Sequence, residues 1–220
     1  MDLIVVTGDL IDGSFDARRA DVELLRGLRA KDGVWVIPGN HEYFFDYEAW
    51  MHHYASLGMQ VLANDHTVLS RDGASLVLAG VTDLSATRTR LPAPDLAAAL
   101  DGAPSDAPIV LLDHQPRNAP QAAAQGVALQ LSGHTHGGMV LGLDRLVARA
   151  NNGFVSGRYQ VGGMTLYFNN GTALWPGFAL RLGRPPELTR ITLRRASPLD
   201  GLTVHSPATS ARSHAPAAAG

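Results

Sequence analysis

The 220-residue sequence contains no cysteine and only one lysine among its eighteen basic residues. Without cysteine the chain can form neither a disulfide framework nor a thiolate metal site, so any metal must be held by nitrogen and oxygen atoms. Long apolar runs are missing too, because no stretch approaches the roughly 18 consecutive apolar residues of a membrane-spanning helix. We therefore expect the chain as given to be soluble, and its cellular compartment stays open.

A strong excess of charge of either sign is also absent. The formal net charge of −2 gives no overall electrostatic case for binding nucleic acid or an anionic membrane. The length suits a single domain with a substantial core, which we place at residues 1–196. Residues 197–220 are rich in Ser, Pro, Ala and Gly and offer little to bury, so we predict a disordered tail there.

Hydrophobic patterning predicts alternating strands and helices in the first part of the chain. Residues 3–6 and 34–37 are short apolar runs, typical of strands buried on both faces of a sheet. An apolar stripe over residues 16–30 predicts an amphipathic helix between them, and residues 46–57 predict a second helix. Shorter strands follow, two of them joined by a hairpin turn at residues 71–73. The pattern predicts an α/β layered domain.

Four segments that carry potential metal ligands each follow a short apolar run. They are Gly8-Asp9-Leu10-Ile11-Asp12, Gly39-Asn40-His41-Glu42, Asp113-His114-Gln115-Pro116 and Gly133-His134-Thr135-His136-Gly137-Gly138. Because each apolar run predicts a strand, each segment begins where a strand ends and a loop starts. Strand ends that converge with carboxylate, amide and imidazole groups describe a metal site.

Taken together, the four segments resemble the motifs of the calcineurin-like metallophosphoesterase family: GDxxD, GNH[DE], a strand-terminal His and GHxH. The resemblance covers roughly residues 3–193 and includes residues 184–188, similar to a segment of many bacterial members. It implies a four-layer sandwich of two mixed β-sheets flanked by helices, with the site at the carboxyl ends of the strands. Taken singly, Asp9 could cap a loop and His114 could be a hydrogen-bonded histidine at a strand end. The order of all four motifs favours the metal site instead.

The resemblance implies a ligand set for two divalent ions. Asp9 resembles the bridging ligand, a role that needs the two anionic oxygens of a carboxylate. Asn40, His114 and His134 resemble the remaining ligands of one ion, and His136 resembles a ligand of the other. Nitrogen and oxygen donors admit Mn²⁺, Fe, Zn²⁺ or Co²⁺.

Three further residues resemble groups beside the ions. His41 resembles the non-ligating imidazole that contacts the scissile phosphate and protonates the departing alcohol. Asp12 and Glu42 resemble supporting residues that hold loops or imidazole tautomers in place. The implied reaction is hydrolysis of phosphodiester, pyrophosphate or phosphomonoester bonds by a hydroxide that bridges the two ions. A small-molecule or lipid-linked phosphoester is the expected substrate, and no nucleic-acid patch is evident.

One family motif, an Asp-x-His upstream of GDxxD, has no counterpart because the sequence starts at Met1. Asp2 cannot replace it, since at ~3.3 Å per residue it lies roughly 20 Å from Asp9 along the strand. The second ion then keeps only Asp9 and His136. We favour an N-terminally incomplete chain, whose missing segment could attach the protein to a membrane. The alternatives are a non-catalytic or single-metal binding or scaffold module on the same fold, or an inactive truncated fragment.

Overall fold

The computed structural model describes residues 1–174 and 180–194 and the backbone of residues 203–205. The chain divides into two compact units, Met1–Glu187 and Leu188–Gly220. The first unit holds two β-sheets with helices packed on them. Within the described residues, no helix combines the length and the apolar character that a membrane span requires.

A small parallel sheet forms the N-terminal part of the first unit. Its strands are β1 (Ile4–Val6), β2 (Val34–Val36) and β3 (Gln60–Val61). They neighbour one another in sequence order, and both pairings are parallel. All three carboxyl ends therefore point the same way. β1 lies at the edge of this sheet with its residues half-buried, and β2 is buried along its length.

Helices cover this sheet and complete the first of two apolar cores. The helices are α1 (Phe15–Arg18), α2 (Asn40–Phe44) and α3 (Tyr47–Ser56). On α3, Trp50 and Tyr54 are fully buried in the same core as Val36 of the central strand. The side chain of Asp46 accepts a hydrogen bond from Ala49 N at 3.3 Å and so caps α3 at its start.

A larger mixed sheet forms the rest of the unit. Its strands are β4 (Asp65–Arg71), β5 (Ala74–Gly80), β6 (Ile109–Leu112), β7 (Leu129–Ser132), β8 (Gly157–Val161) and β9 (Met164–Phe168). Their spatial order is β4-β5-β6-β7-β9-β8, with the four inner strands parallel and the two edge strands antiparallel to their neighbours. The predicted hairpin at residues 71–73 joins β4 to β5.

Small apolar side chains let short helices approach the larger sheet closely. The helices of this part are α4 (Leu96–Ala99), α5 (Ala119–Ala124) and α6 (Asp144–Ala150). Ala99, Ala119 and Ala122 pack against strand residues such as Val77 and Leu111 in the second core. The predicted α/β class, two sheets flanked by helices, is confirmed. Only the larger sheet is mixed, whereas the described strands of the smaller one are all parallel, a difference from the expected pair of mixed sheets.

The predicted helix over residues 16–30 is wrong in its extent. The chain forms only the single turn of α1 there, followed by a 3₁₀ turn at Glu23–Gly27. Val22, Leu25 and Leu28 face the core at a spacing of three, which is the period of a 3₁₀ helix. Leu24, which an α-helical stripe would bury, is 88% exposed.

The second unit is described only as a small hairpin-like pair. In it β10 (Arg190–Thr192) pairs with β11 (Thr203–His205) in an antiparallel ladder. The predicted disordered tail, residues 197–220, lies outside the described residues except for the backbone of β11. That prediction and the domain boundary at residue 196 both stay predictions.

Candidate metal centre

Four strand ends from the two sheets bring the first set of candidate ligands together. Asp9 follows β1 and Asn40 follows β2 of the small sheet, while His114 follows β6 and His134 follows β7 of the large one. Because these strands run parallel within their sheets, their carboxyl ends lie at one edge, as in other α/β sites. The sheets are also joined here directly, since His114 Nδ1 lies 2.6 Å from the Thr7 carbonyl oxygen just beyond β1.

Hydrogen-bonding distances link the four candidate ligands into one group. His114 Nε2 lies 3.0 Å from Asp9 Oδ2 and 3.0 Å from Asn40 Oδ1. His134 Nδ1 lies 2.7 Å from the same Asn40 oxygen. The ligand atoms of Asp9, His114 and His134 all fall within 4.8 Å of one another, a spread that one metal ion can span. None of the four side chains is freely exposed.

The tautomer of His114 shows that this donor set fits a cation. The Thr7 carbonyl only accepts, so Nδ1 of His114 carries a hydrogen, and Nε2 is the ring nitrogen that faces Asp9 and Asn40. Three electron-pair donors aimed at one point need a proton or a metal ion between them. Burial alone lowers the pKa of His114, but the Asp9 carboxylate raises it to about 10. A divalent ion would take the place of that proton.

Two of the other candidate ligands, His134 and Asp9, have the protonation states that metal binding requires. Burial, together with the neighbouring His114 charge, lowers the pKa of His134 to about 3, so its imidazole is neutral at pH 7. Burial raises the pKa of Asp9, but His114 and His41 outweigh it and bring it well below its usual range. The centre therefore offers one carboxylate, neutral nitrogen and an amide oxygen.

Close approach of two loops explains the glycines in the first two motifs. A Cβ atom on Gly39 would lie 2.2 Å from Asp9 Oδ1, and one on Gly8 would lie 2.6 Å from Gly39 Cα. Asp9 and His134 themselves have positive φ angles of 55° and 77°, a conformation uncommon for residues with side chains. Such backbone is held by the surrounding structure and clusters at functional sites.

Glu42 connects the loop that carries Asp9 to the loop that carries Asn40 through hydrogen bonds. Its carboxylate accepts hydrogen bonds from the backbone N–H groups of Gly39 at 2.7 Å, Leu10 at 3.0 Å and Asp9 at 3.1 Å. It also accepts one from the Tyr54 hydroxyl at 2.9 Å, and the side chain is fully buried. Burial and the Asp9 charge raise the pKa of Glu42, while the Gly39 and Tyr54 hydrogen bonds oppose that shift. Tyr54 was not predicted as part of the site, because it belongs to no motif.

Replacing Glu42 with alanine is expected to destabilise the fold strongly. The change leaves one buried N–H group, two part-buried ones and a buried hydroxyl without an acceptor, and each buried group left unpaired costs about 1–3 kcal/mol. We expect a loss on the order of 3–5 kcal/mol in the free energy of unfolding, measured by urea denaturation. Glu48→Ala, which removes an exposed glutamate from α3, is the matched control. A loss below about 1 kcal/mol would show that water or a rearranged loop satisfies these donors.

His41 lies beside the four ligands and outside their group. Its backbone N–H donates to Asp9 Oδ1 at 2.9 Å, so the residue helps to fix the carboxylate. Its ring is buried, and Nδ1 lies 3.1 Å from Asp12 Oδ1. With Nδ1 donating to this carboxylate, Nε2 is the ring nitrogen left for a reacting group. The pair of Asp12 and His41 has the arrangement of an oriented acid–base group.

His136 does not join the group formed by Asp9, His114 and His134. It lies at the start of a short turn with a positive φ of 50°. Its Nδ1 atom lies 3.4 Å from Nη2 of Arg181, and the same guanidinium donates to the His136 carbonyl oxygen at 3.1 Å. Arg181 was not predicted from the sequence, because it lies 45 residues from His136 and belongs to no motif.

Two buried aspartates, Asp83 and Asp113, adjoin the segment that carries His114. Asp113 precedes His114 and is fully buried, and burial together with the nearby Asp83 charge raises the pKa of Asp113 to about 8. Gln130 Nε2 lies 3.4 Å from Asp113 Oδ2, and Gln115 Nε2 donates to both Asp83 oxygens at 3.0 and 3.1 Å. This network anchors the loop of His114 within the end of the larger sheet.

Several curated proteins are similar to this chain. A "Transmembrane protein with metallophosphoesterase domain" from Danio rerio is 35% identical over 89% of this chain and 46% of its own length. An uncharacterized metallophosphoesterase from Helicobacter pylori is 31% identical over 88% of this chain and 51% of its own length. The chain spans about half the length of these two relatives. The uncharacterized metallophosphoesterase YkuE of Bacillus subtilis is 33% identical, over 88% of this chain and 68% of its own length.

Solved structures share the fold at low sequence identity. Sulfate thiohydrolase SoxB from Thermus thermophilus matches with a TM-score of 0.52 and 15% identity, over 76% of this chain and 33% of that chain. The calcineurin-like phosphoesterase YfkN from Bacillus subtilis gives 0.50 and 14%, over 76% of this chain and 67% of that one. The model of the calcineurin-like phosphoesterase family matches residues 1–138, which hold all four motifs, and the chain belongs to that family.

Proposed function

We propose that this chain hydrolyses phosphodiester or pyrophosphate bonds at a metal centre built on Asp9, Asn40, His114 and His134. The observation that carries the proposal is the convergence of these four donors at the strand ends of two sheets. Membership of the family supports phosphoester hydrolysis in general. Phosphate esters resist attack because negative oxygens shield the phosphorus, so a site for cleaving them needs positive charge and a nucleophile that is available at neutral pH.

The residues of the chain divide the work at this centre. A divalent ion supplies polarisation of the phosphoryl group and a route to a nucleophile near pH 7. Asp9 supplies the one negative charge, while neutral Asn40 and His134 hold the ion without adding charge that would repel the substrate. His41, oriented by Asp12, would give a proton to the departing alcohol from its free ring nitrogen. Glu42 accepts hydrogen bonds from both loops and so holds them together.

We further propose that a second ion binds between Asp9 and His136, which gives the dinuclear centre of the full proposal. A single-metal binding or scaffold module is the second candidate, and one observation favours it. His136 lies outside the described ligand group, and its Nδ1 atom faces the cationic Arg181. A second ion would therefore require His136 to coordinate through Nε2.

For the substrate we propose a small-molecule or lipid-linked phosphoester. The formal charge of −2 offers no general attraction for nucleic acid. The name of the Danio rerio relative describes a transmembrane protein, which supports a membrane-attached full-length protein and a lipid-linked substrate. Metal identity is proposed as Mn²⁺, Fe, Zn²⁺ or Co²⁺, the ions that suit mixed nitrogen and oxygen donors.

The test is metal stoichiometry of the purified 220-residue protein, measured alongside hydrolysis of bis(p-nitrophenyl) phosphate with added Mn²⁺. Two ions per chain with turnover are expected for the dinuclear hydrolase. One ion without turnover would favour either the single-metal module or an incomplete chain, and adding the upstream segment back would separate these two. Absence of both metal and turnover, in protein that circular dichroism shows to be folded, would contradict both candidates.

A further inference from the structure

An exposed apolar surface lies close to the candidate metal centre. We define the leucine face as four residues with exposed side chains: Leu141 (61%), Leu143 (45%), Leu146 (59%) and Leu182 (58%). Scattered exposed leucines are ordinary on protein surfaces, whereas several in one place mark an interaction site.

Backbone hydrogen bonds hold the leucine face together. Leu141 N donates to the Leu182 carbonyl at 3.0 Å, next to an isolated bridge that pairs Val140 with Leu182. The Leu141 side chain lies over Gly183, where a Cβ atom would come within 2.2 Å of it. Leu146 N donates to the Leu143 carbonyl at 3.0 Å, which places these two one turn apart at the start of α6. The backbones of the four leucines therefore lie close together in one region of the molecule.

Positive charge lies beside this face, on α6 and at its carboxyl end. Arg145 and Arg149 are exposed on α6, and Arg117 donates to the Ala150 carbonyl at 3.2 Å at the end of that helix. None of these three arginines forms an ion pair with a carboxylate in the described part of the chain. The acidic residue of the helix, Asp144, is already paired with Arg184. The region is thus cationic although the whole chain carries a formal charge of −2.

We propose that the leucine face seats this protein on the anionic surface of a lipid bilayer. Leucine side chains would enter the boundary between headgroups and acyl chains, and the arginines would meet the lipid phosphates. Charge decides between a membrane and a second copy of this chain. A symmetric dimer would bring the same arginines of two copies together, which repels, whereas anionic lipid complements them.

The leucine face is also connected to the segment that carries part of the candidate centre. Arg181 precedes Leu182, and its guanidinium donates to the carbonyl oxygen of His136. The leucine face is therefore attached to the loop that carries the H-x-H motif. The proposal concerns binding and does not depend on catalysis, so it can fail or succeed separately from the proposed hydrolysis.

The test is co-sedimentation of the 220-residue protein with vesicles of phosphatidylcholine alone and of phosphatidylcholine mixed with phosphatidylglycerol. We expect partition into the anionic vesicles and little into the neutral ones. Arg145→Gln with Arg149→Gln should lower the partition coefficient roughly 25-fold, because each arginine near the surface contributes about fivefold. Leu143→Ser with Leu146→Ser should lower it by about tenfold or more.

A matched control keeps the result interpretable. Leu24→Ser removes a leucine that is 88% exposed and lies outside the leucine face, so it should bind vesicles like the wild type. Circular dichroism and thermal unfolding check that each variant is folded. The proposal is overturned if the wild type binds neither vesicle, or if the double leucine and double arginine variants bind as the wild type does. It is also overturned if the leucine variants change only self-association in sedimentation velocity.

Discussion

Replacing Asp9 with asparagine is expected to remove bound metal and hydrolytic activity together. Asparagine keeps the shape of the side chain and an oxygen for the His41 N–H, which lies 2.9 Å from Asp9 Oδ1. The loop should therefore keep its course. What disappears is the negative charge, and with it the only carboxylate in the group of three candidate ligands that the described residues form.

The size of the effect follows from the role of a direct ligand. Loss of a hydrogen-bonding partner outside the coordination sphere costs roughly 10–100-fold in metal affinity or activity. Loss of the charged ligand should exceed about 100-fold in turnover of bis(p-nitrophenyl) phosphate. Metal content by mass spectrometry should fall in parallel. Asp16→Asn, the same change at an exposed position, should leave both quantities unchanged. A variant of Asp9 that retains metal and turnover would remove this residue from the ligand set.

Replacing His41 with alanine is expected to separate metal binding from turnover. The ring is not part of the ligand group, and the backbone N–H that supports Asp9 is retained in the variant. Metal content should therefore stay at the wild-type value. Turnover should fall by on the order of 10²–10⁴-fold, because the proton donor for the leaving alcohol is lost.

Substrates with different leaving groups can distinguish a proton donor from a residue that only positions the phosphate. A nitrophenolate leaves readily without a proton, whereas a simple alkoxide does not, so the loss should be larger for an alkyl phosphodiester. His52→Ala removes an exposed histidine from α3 and serves as the matched control. Equal losses for both leaving groups would argue that His41 positions the phosphate and does not deliver a proton. Unchanged turnover would end its proposed role altogether.

Much of this protein was predictable from local pattern. The apolar runs before Asp9, Asn40, His114 and His134 each form a strand, and the buried strands pair in parallel. Parallel pairing brings strand ends to one edge, so the motifs could be expected to meet before any contact was known. The glycines beside them fit the same logic, since Gly39 leaves no room for a side chain against Asp9.

Other features depend on contacts between residues far apart in sequence, and local pattern does not contain them. Tyr54 supports Glu42 from another helix, and Arg181 faces His136 across 45 residues. The predicted helix over residues 16–30 failed for the same reason. Its apolar residues face the core at a spacing of three, and packing against the sheet selected the tighter turn.

The type of chemistry could be read from the residues alone: nitrogen and oxygen donors, no thiolate, and four motifs in the order of one family. Tertiary structure decided which ligands meet, because only the packing of two sheets fixes that His114 and His134 approach Asn40 while His136 stays apart. It also decided where charge lies. The formal net charge of −2 does not indicate the cationic surface beside the leucine face, because a sum over the chain carries no information about position.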